Sequence, residues 1–265
     1  MKKISALLLA LLMAVMAFAF VGCSDAKTVN TEKETLKVGV TIFEPLNYKD
    51  DNGEWTGFET EFTKAVADKL GMNVEFVEIE WDNKVFEINA GNIDCIWNGM
   101  TVTPELQEAL TLSDPYIKNM QVVICKKDNA EKYNTLEAMK DLKIVAEAGS
   151  AGEKAIEADE NLSKANYTSI AKQLDALTEV KSGTADVAVI DYVMARASVG
   201  EGTSYEDLTI VDGIELSVEE YAIGFRKDDE LATKVNAAIK ELIEDGTLNK
   251  LAEKYEMADS LLCNQ

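Results

Sequence analysis

Short apolar runs alternate with helix-period segments along most of this chain, and that alternation leaves few folds open. Residues 36–41 read as a strand, and residues 58–70 carry apolar side chains at helical spacing up to Gly71, a helix stop. Residues 73–79 alternate apolar and polar as a half-buried strand does. Residues 81–90 read as a helix closed by Gly91, and 93–97 as a buried strand. This β-α-β-α-β order predicts a mostly parallel sheet with helices on both faces. A second round follows, with strands at 121–125 and 142–146, a helix after Gly149, and a helix at 170–180 stopping near Gly183. A strand at 185–190 delivers Asp191 at its carboxyl end. Residues 221–225 read as a strand, 230–244 as a long amphipathic helix, and 248–255 as a last helix. The expectation is two α/β lobes with no loose linker between them.

The N-terminus reads as an address. Lys2 and Lys3 precede an apolar run from Ile4 to Val21, followed by Gly22 and Cys23, the pattern of a secretory leader. The run is long enough for a membrane span, but its ending, Val21-Gly22-Cys23, resembles a bacterial lipobox, with Phe20 where an aliphatic residue is usual. That resemblance implies cleavage after residue 22, diacylation of Cys23 and anchoring at the extracytoplasmic face of the cell membrane. Two acyl chains suffice for stable anchoring. Residues 23–35 are polar and aperiodic, a flexible tether.

Charge and cysteine usage exclude several functions. The formal charge of −22 becomes −24 once Lys2 and Lys3 leave with the leader. Such an excess disfavours nucleic acid and anionic membrane surfaces as partners. The chain has no histidine, so a histidine-based triad is excluded. Without imidazole or a C-x-x-C pair, a metal site is not expected. Cys95 and Cys125 lie in apolar strand-like runs and read as buried free thiols.

Function concentrates between Asn98 and Tyr116. Thr101 and Thr103 offer hydroxyls, Pro104 suits a first helical position, and Glu105 favours a first turn. Backbone N–H groups at such an elbow can hold a polar ligand. The run 99–105 (GMTVTPE), together with Gly57-Phe58-Glu59, 113–116 (SDPY), 149–153 (GSAGE), 188–191 (AVID) and 242–251 (LIEDGTLNKL), resembles the extracellular solute-binding proteins of family 3, which serve ABC importers of polar amino acids. The likeness spans about 36–255.

The resemblance implies the α/β, two-lobed type II periplasmic-binding-protein fold, with two chain crossings between lobes near 119–123 and 216–221. Lobe one would comprise 36–119 and 221–265, and lobe two 120–220. It also implies a monomer that works with ABC permease subunits, a small-molecule ligand in the cleft, no cofactor and no catalytic residues. Carried over residue by residue, Phe43 and Trp81 match the aromatic pair that sandwiches a ligand side chain. Gly99, Met100 and Thr101 match the segment that offers backbone groups and a hydroxyl. Ser150 stands at the second elbow, and Asp191 matches the carboxylate that grips an ammonium.

Two positions depart from the family pattern. Leu106 stands where an arginine clamps the ligand's α-carboxylate, and Ala151 where many relatives carry threonine. Leucine forms no such bond. Two explanations stay open. The ligand is an amine or other cation held by Asp191 and the aromatics, or it is an amino acid whose carboxylate meets helix N-termini and a cation elsewhere, Lys118 or Lys84. Arg196 and Arg226, the only arginines, fall at no matching position. A fold-related enzyme such as a cyclohexadienyl dehydratase is the alternative class; Glu44 or Glu153 would then be the candidate acid, though nothing in the sequence singles them out.

Overall fold

The computed structural model describes residues 33–265; the leader (1–22), Cys23 and most of the tether lie outside the described residues. The chain runs through β1 (Thr35–Val40), a small hairpin of β2 (Tyr48–Lys49) and β3 (Trp55–Thr56), α1 (Phe58–Leu70), β4 (Asn73–Glu78), α2 (Lys84–Asn89), β5 (Cys95–Ile96), α3 (Pro104–Ala109) and β6 (Thr111–Leu112). Next come β7 (Ile117–Lys126), α4 (Leu136–Met139), β8 (Lys143–Glu147), α5 (Ala151–Ala158), β9 (Asn166–Ile170), α6 (Gln173–Ser182), β10 (Val187–Asp191), α7 (Tyr192–Ser198) and β11 (Leu208–Tyr221). It closes with β12 (Gly224–Phe225), α8 (Leu231–Glu244) and α9 (Thr247–Lys254).

These strands build two five-stranded sheets, ordered β4-β1-β5-β12-β6 and β11-β7-β10-β8-β9. In the first, β1 pairs in parallel with β4 and β5, and β12 runs antiparallel to both neighbours. In the second, β10 and β8, and β8 and β9, pair in parallel, while β7 runs antiparallel to β10 and β11. Parallel strands covered on both faces must be apolar throughout. Accordingly all five residues of β10 are buried, as are four of the five in β8. The same burial leaves Cys95 and Cys125 as buried free thiols. The two sheets are joined through β7 and β11, long strands paired side by side from Leu208↔Lys126 to Tyr221↔Ile117. This is a two-lobed α/β fold.

The structure revises some of the expected elements. Residues 166–170 form strand β9, and the following helix starts at Gln173 rather than at residue 170, because Ile170 is paired with Glu147. The segment expected as a helix from residue 81 begins with a 3-10 turn, Trp81–Asn83, before α2. The strand expected over 93–97 pairs only at Cys95 and Ile96.

Candidate functional site

Strands β1, β4, β5, β8 and β10 lead with their carboxyl ends toward one cleft, as open α/β sheets do at their binding sites. Phe43 follows β1, Trp81 follows β4, and the elbow from Gly99 to Thr103 follows β5. From the other sheet, Glu147 ends β8 and Asp191 ends β10. A cavity of about 300 Å³ lies there. Phe43, Trp81, Gly99, Met100, Thr101 and Leu106 line it from one side, and Ser150, Ala151 and Asp191 from the other. All nine residues picked from the sequence therefore border one space.

Each elbow is locally self-consistent. Thr103 caps α3 by accepting the Leu106 N–H at 3.2 Å, with Pro104 at the first helical position. Ser150 caps α5 by accepting the Glu153 N–H at 3.1 Å, and Glu153 in turn accepts the N–H of Gly149, the residue before the cap, at 2.7 Å. Gly99 has φ +58, and a Cβ there would lie 2.7 Å from the Phe43 ring. Only glycine lets the backbone pass so close to that ring. The N–H of Gly99 is not offered to the cavity, because both Glu59 carboxylate oxygens accept it, at 3.1 and 3.0 Å. Leu106 packs against the buried cluster that includes Trp81, Ile96, Met100 and Leu110, giving this wall an apolar face.

Asp191 is 6% exposed. Its Oδ1 accepts from Asn119 Nδ2 at 2.6 Å, Gln121 Nε2 at 2.8 Å and the Tyr221 hydroxyl at 2.6 Å. The same two amides donate to Glu219 Oε1, at 2.6 and 2.8 Å. Burial, then the nearby Asp191 charge, pushes Glu219 up to about 8. Glu147, 4% exposed, accepts the Gln173 N–H at 3.2 Å, while Gln173 Oε1 accepts the Asp191 N–H at 2.6 Å. Burial and Asp191 push Glu147 up to about 8 as well. Among the described residues, two lysines border this acidic cavity. Lys154 pairs with Glu105 at 3.2 Å, and Lys84 donates to two backbone carbonyls.

Other candidates lie elsewhere. Lys118 is exposed and does not border the cavity, nor does the exposed Glu44. Glu153 is spent on the Gly149 N–H and on the Tyr167 hydroxyl. Arg226 pairs with Asp94 and Asp229, and Arg196 lies over the Tyr192 ring. Sequence reasoning missed Glu147, although it ends an apolar run just as Asp191 does. It also missed Gln173 and the Asn119–Gln121–Glu219–Tyr221 network behind Asp191.

Two lobes joined by a paired ribbon around a cavity of small-molecule size form a clamp, the architecture of a solute-binding protein. Residues 36–258 match the bacterial extracellular solute-binding proteins, family 3, and the chain belongs to that family. It is 33% identical to the probable amino-acid-binding protein YxeM of Bacillus subtilis, over 96% of this chain and 95% of that one. The arginine-binding extracellular protein ArtP of Bacillus subtilis is 29% identical, with 94% and 96% covered. Among solved structures, an ancestral arginine-binding protein bound to arginine superposes with a TM-score of 0.77 at 33% identity, covering 84% of this chain and 98% of that one. The ancestral amino acid-binding protein AncCDT-1, a precursor of cyclohexadienyl dehydratase, gives 0.76 at 35%, covering 83% and 95%. The chain thus has a solute-binding role in transport, and the relatives it resembles are binding proteins.

Proposed function

We propose that this protein is the substrate-binding lipoprotein of an ABC importer and captures an amino acid or related amine between its lobes. The observation that carries this reading is the convergence of Phe43, Trp81, the Gly99–Thr101 elbow, Ser150 and buried Asp191 on one cavity. In this reading lobe one is 36–119 with 221–265, lobe two is 120–220, and the lobes hinge where β7 and β11 run together. Asp191 holds the ligand's ammonium through its second oxygen, and the rings of Phe43 and Trp81 enclose the rest. Ligand favours the closed state by its higher affinity for it, and a permease reads that state. The protein works as a monomer, anchored through Cys23 by the tether of 23–35.

Thermal-shift screening against the twenty amino acids and their amines, followed by calorimetry, tests the ligand class. Submicromolar binding of one compound is the expected result; no binding by any of them would refute the reading. Changing Cys23→Ala should abolish incorporation of labelled fatty acid into the protein.

Glu147 supports a catalytic alternative, because a cavity carboxyl raised to about 8 keeps its proton at neutral pH and could act as a general acid. We favour binding without turnover because the relatives that the chain resembles along nearly its whole length are binding proteins. Incubation with prephenate or arogenate, followed by absorbance, should show no conversion.

A further inference from the structure

Lys84 is 7% exposed and borders the cavity. Its ammonium sits over the Trp81 ring, 4.6 Å from the centroid, and donates to Trp81 O at 3.1 Å and to Gly149 O at 3.0 Å. Gly149 begins the elbow on the opposite wall, so the side chain spans the cleft. Among the described residues no carboxylate is hydrogen-bonded to it; Asp82, Glu147 and Glu153 act on it only from a distance, as does the like charge of Lys154.

A buried charge without a partnered counter-ion is costly, and proteins seldom keep one without use. An ammonium has three donors. Two are taken by carbonyls, and among the described residues the third has no hydrogen-bonded acceptor. Lys154, the other lysine on this cavity, has a half-exposed side chain and already holds Glu105. The cation free to meet a ligand's anionic group is therefore Lys84.

We propose that Lys84 is a specificity-determining residue that receives the ligand's carboxylate at the Gly149 elbow, while Asp191 takes the ligand's ammonium. The inference rests on the solute-binding reading above and narrows it: the cargo is a zwitterion rather than a simple amine. The anchor differs from a guanidinium clamp. It offers one hydrogen bond rather than a fork, and it is assembled from both walls. Burial lowers the Lys84 pKa to about 8. A bound carboxylate raises it again, so affinity should be full below about pH 8 and fall as pH rises through the bound value.

The test is calorimetry on wild type, Lys84→Met and Lys84→Gln. The probes are arginine against agmatine, histidine against histamine, and glutamate against glutamine. The first two pairs report the α-carboxylate and the third reports a side-chain carboxylate. Wild type should prefer the carboxylate-bearing member of at least one pair by 30-fold or more. Both variants should lose about 100-fold for that member, change its partner less than threefold, and show a smaller alkaline fall in affinity, what remains being the ligand's own ammonium losing its proton. Melting temperatures separate lost binding from lost fold, since either variant also alters the donors to Trp81 O and Gly149 O. Retained affinity in both variants, or equal wild-type affinity within every pair that binds, would overturn the assignment and leave the binding role standing. No heat from any probe or from the remaining amino acids would remove the binding role and the anchor together.

Discussion

The substitution Asp191→Asn separates the ligand-binding role of this carboxylate from its structural one. Oδ1 receives three donors, from Asn119, Gln121 and Tyr221, and an asparagine oxygen in the same place still receives all three. The amide nitrogen then replaces the second oxygen, so the ligand's ammonium meets a donor instead of an acceptor. Removing one partner of a buried charge pair costs about 3–5 kcal/mol, which is roughly two to three and a half powers of ten in affinity. The fold should lose little. The like-charge pressure of Asp191 on Glu147 and Glu219 disappears, and each of those groups should drop from about 8. Calorimetry measures the first effect and urea denaturation the second. An affinity within tenfold of wild type, with the fold intact, would refute the assignment of Asp191 as the ammonium partner.

Three further outcomes are expected. Gly99→Ala should destabilise by about 2–4 kcal/mol, combining a left-handed backbone penalty with overpacking against Phe43, and a urea midpoint within error of wild type would contradict this. Stability without ligand should fall between about pH 4.5 and 8. Glu59, raised to about 7 by burial, and Glu147 and Glu219, raised to about 8, keep protons there that the unfolded chain has released. The slope is at most about 1.4 kcal/mol per pH unit for each carboxyl, and a urea midpoint that rises from pH 5 to 7.5 would count against it. Leu106→Arg should strengthen binding of amino acids relative to their decarboxylated amines by at least tenfold, read by the same calorimetry; an unchanged ratio would show that position 106 does not face the carboxylate.

Elements were legible in the sequence where burial imposes a pattern. Helix α1 ends where Gly71 predicts, and the apolar run into Asp191 became the fully buried strand β10. Strand β9 escaped notice because it lies at a sheet edge with little apolar alternation, and β11 because Asp212, Glu215, Glu219 and Glu220 interrupt it. The cavity walls could be located from motifs whose order matches a family. Their second layer could not. Glu59 meets Gly99 and Tyr116 across 40 and 57 residues, pairings that no local window reveals. Lys84 and Lys118 were equal candidates by charge alone, and only the fold puts one in the cleft and the other in solvent.

The place of β12 bears on how the protein is made. That strand comes late in the chain, yet it lies inside the first sheet, between β5 and β6. A ribosome therefore releases β1, β4 and β5 long before the strand that covers their open edge exists, whereas the whole of β7 to β11 is available to pair beforehand. The half begun first is finished last, and Gly224 and Phe225 close it.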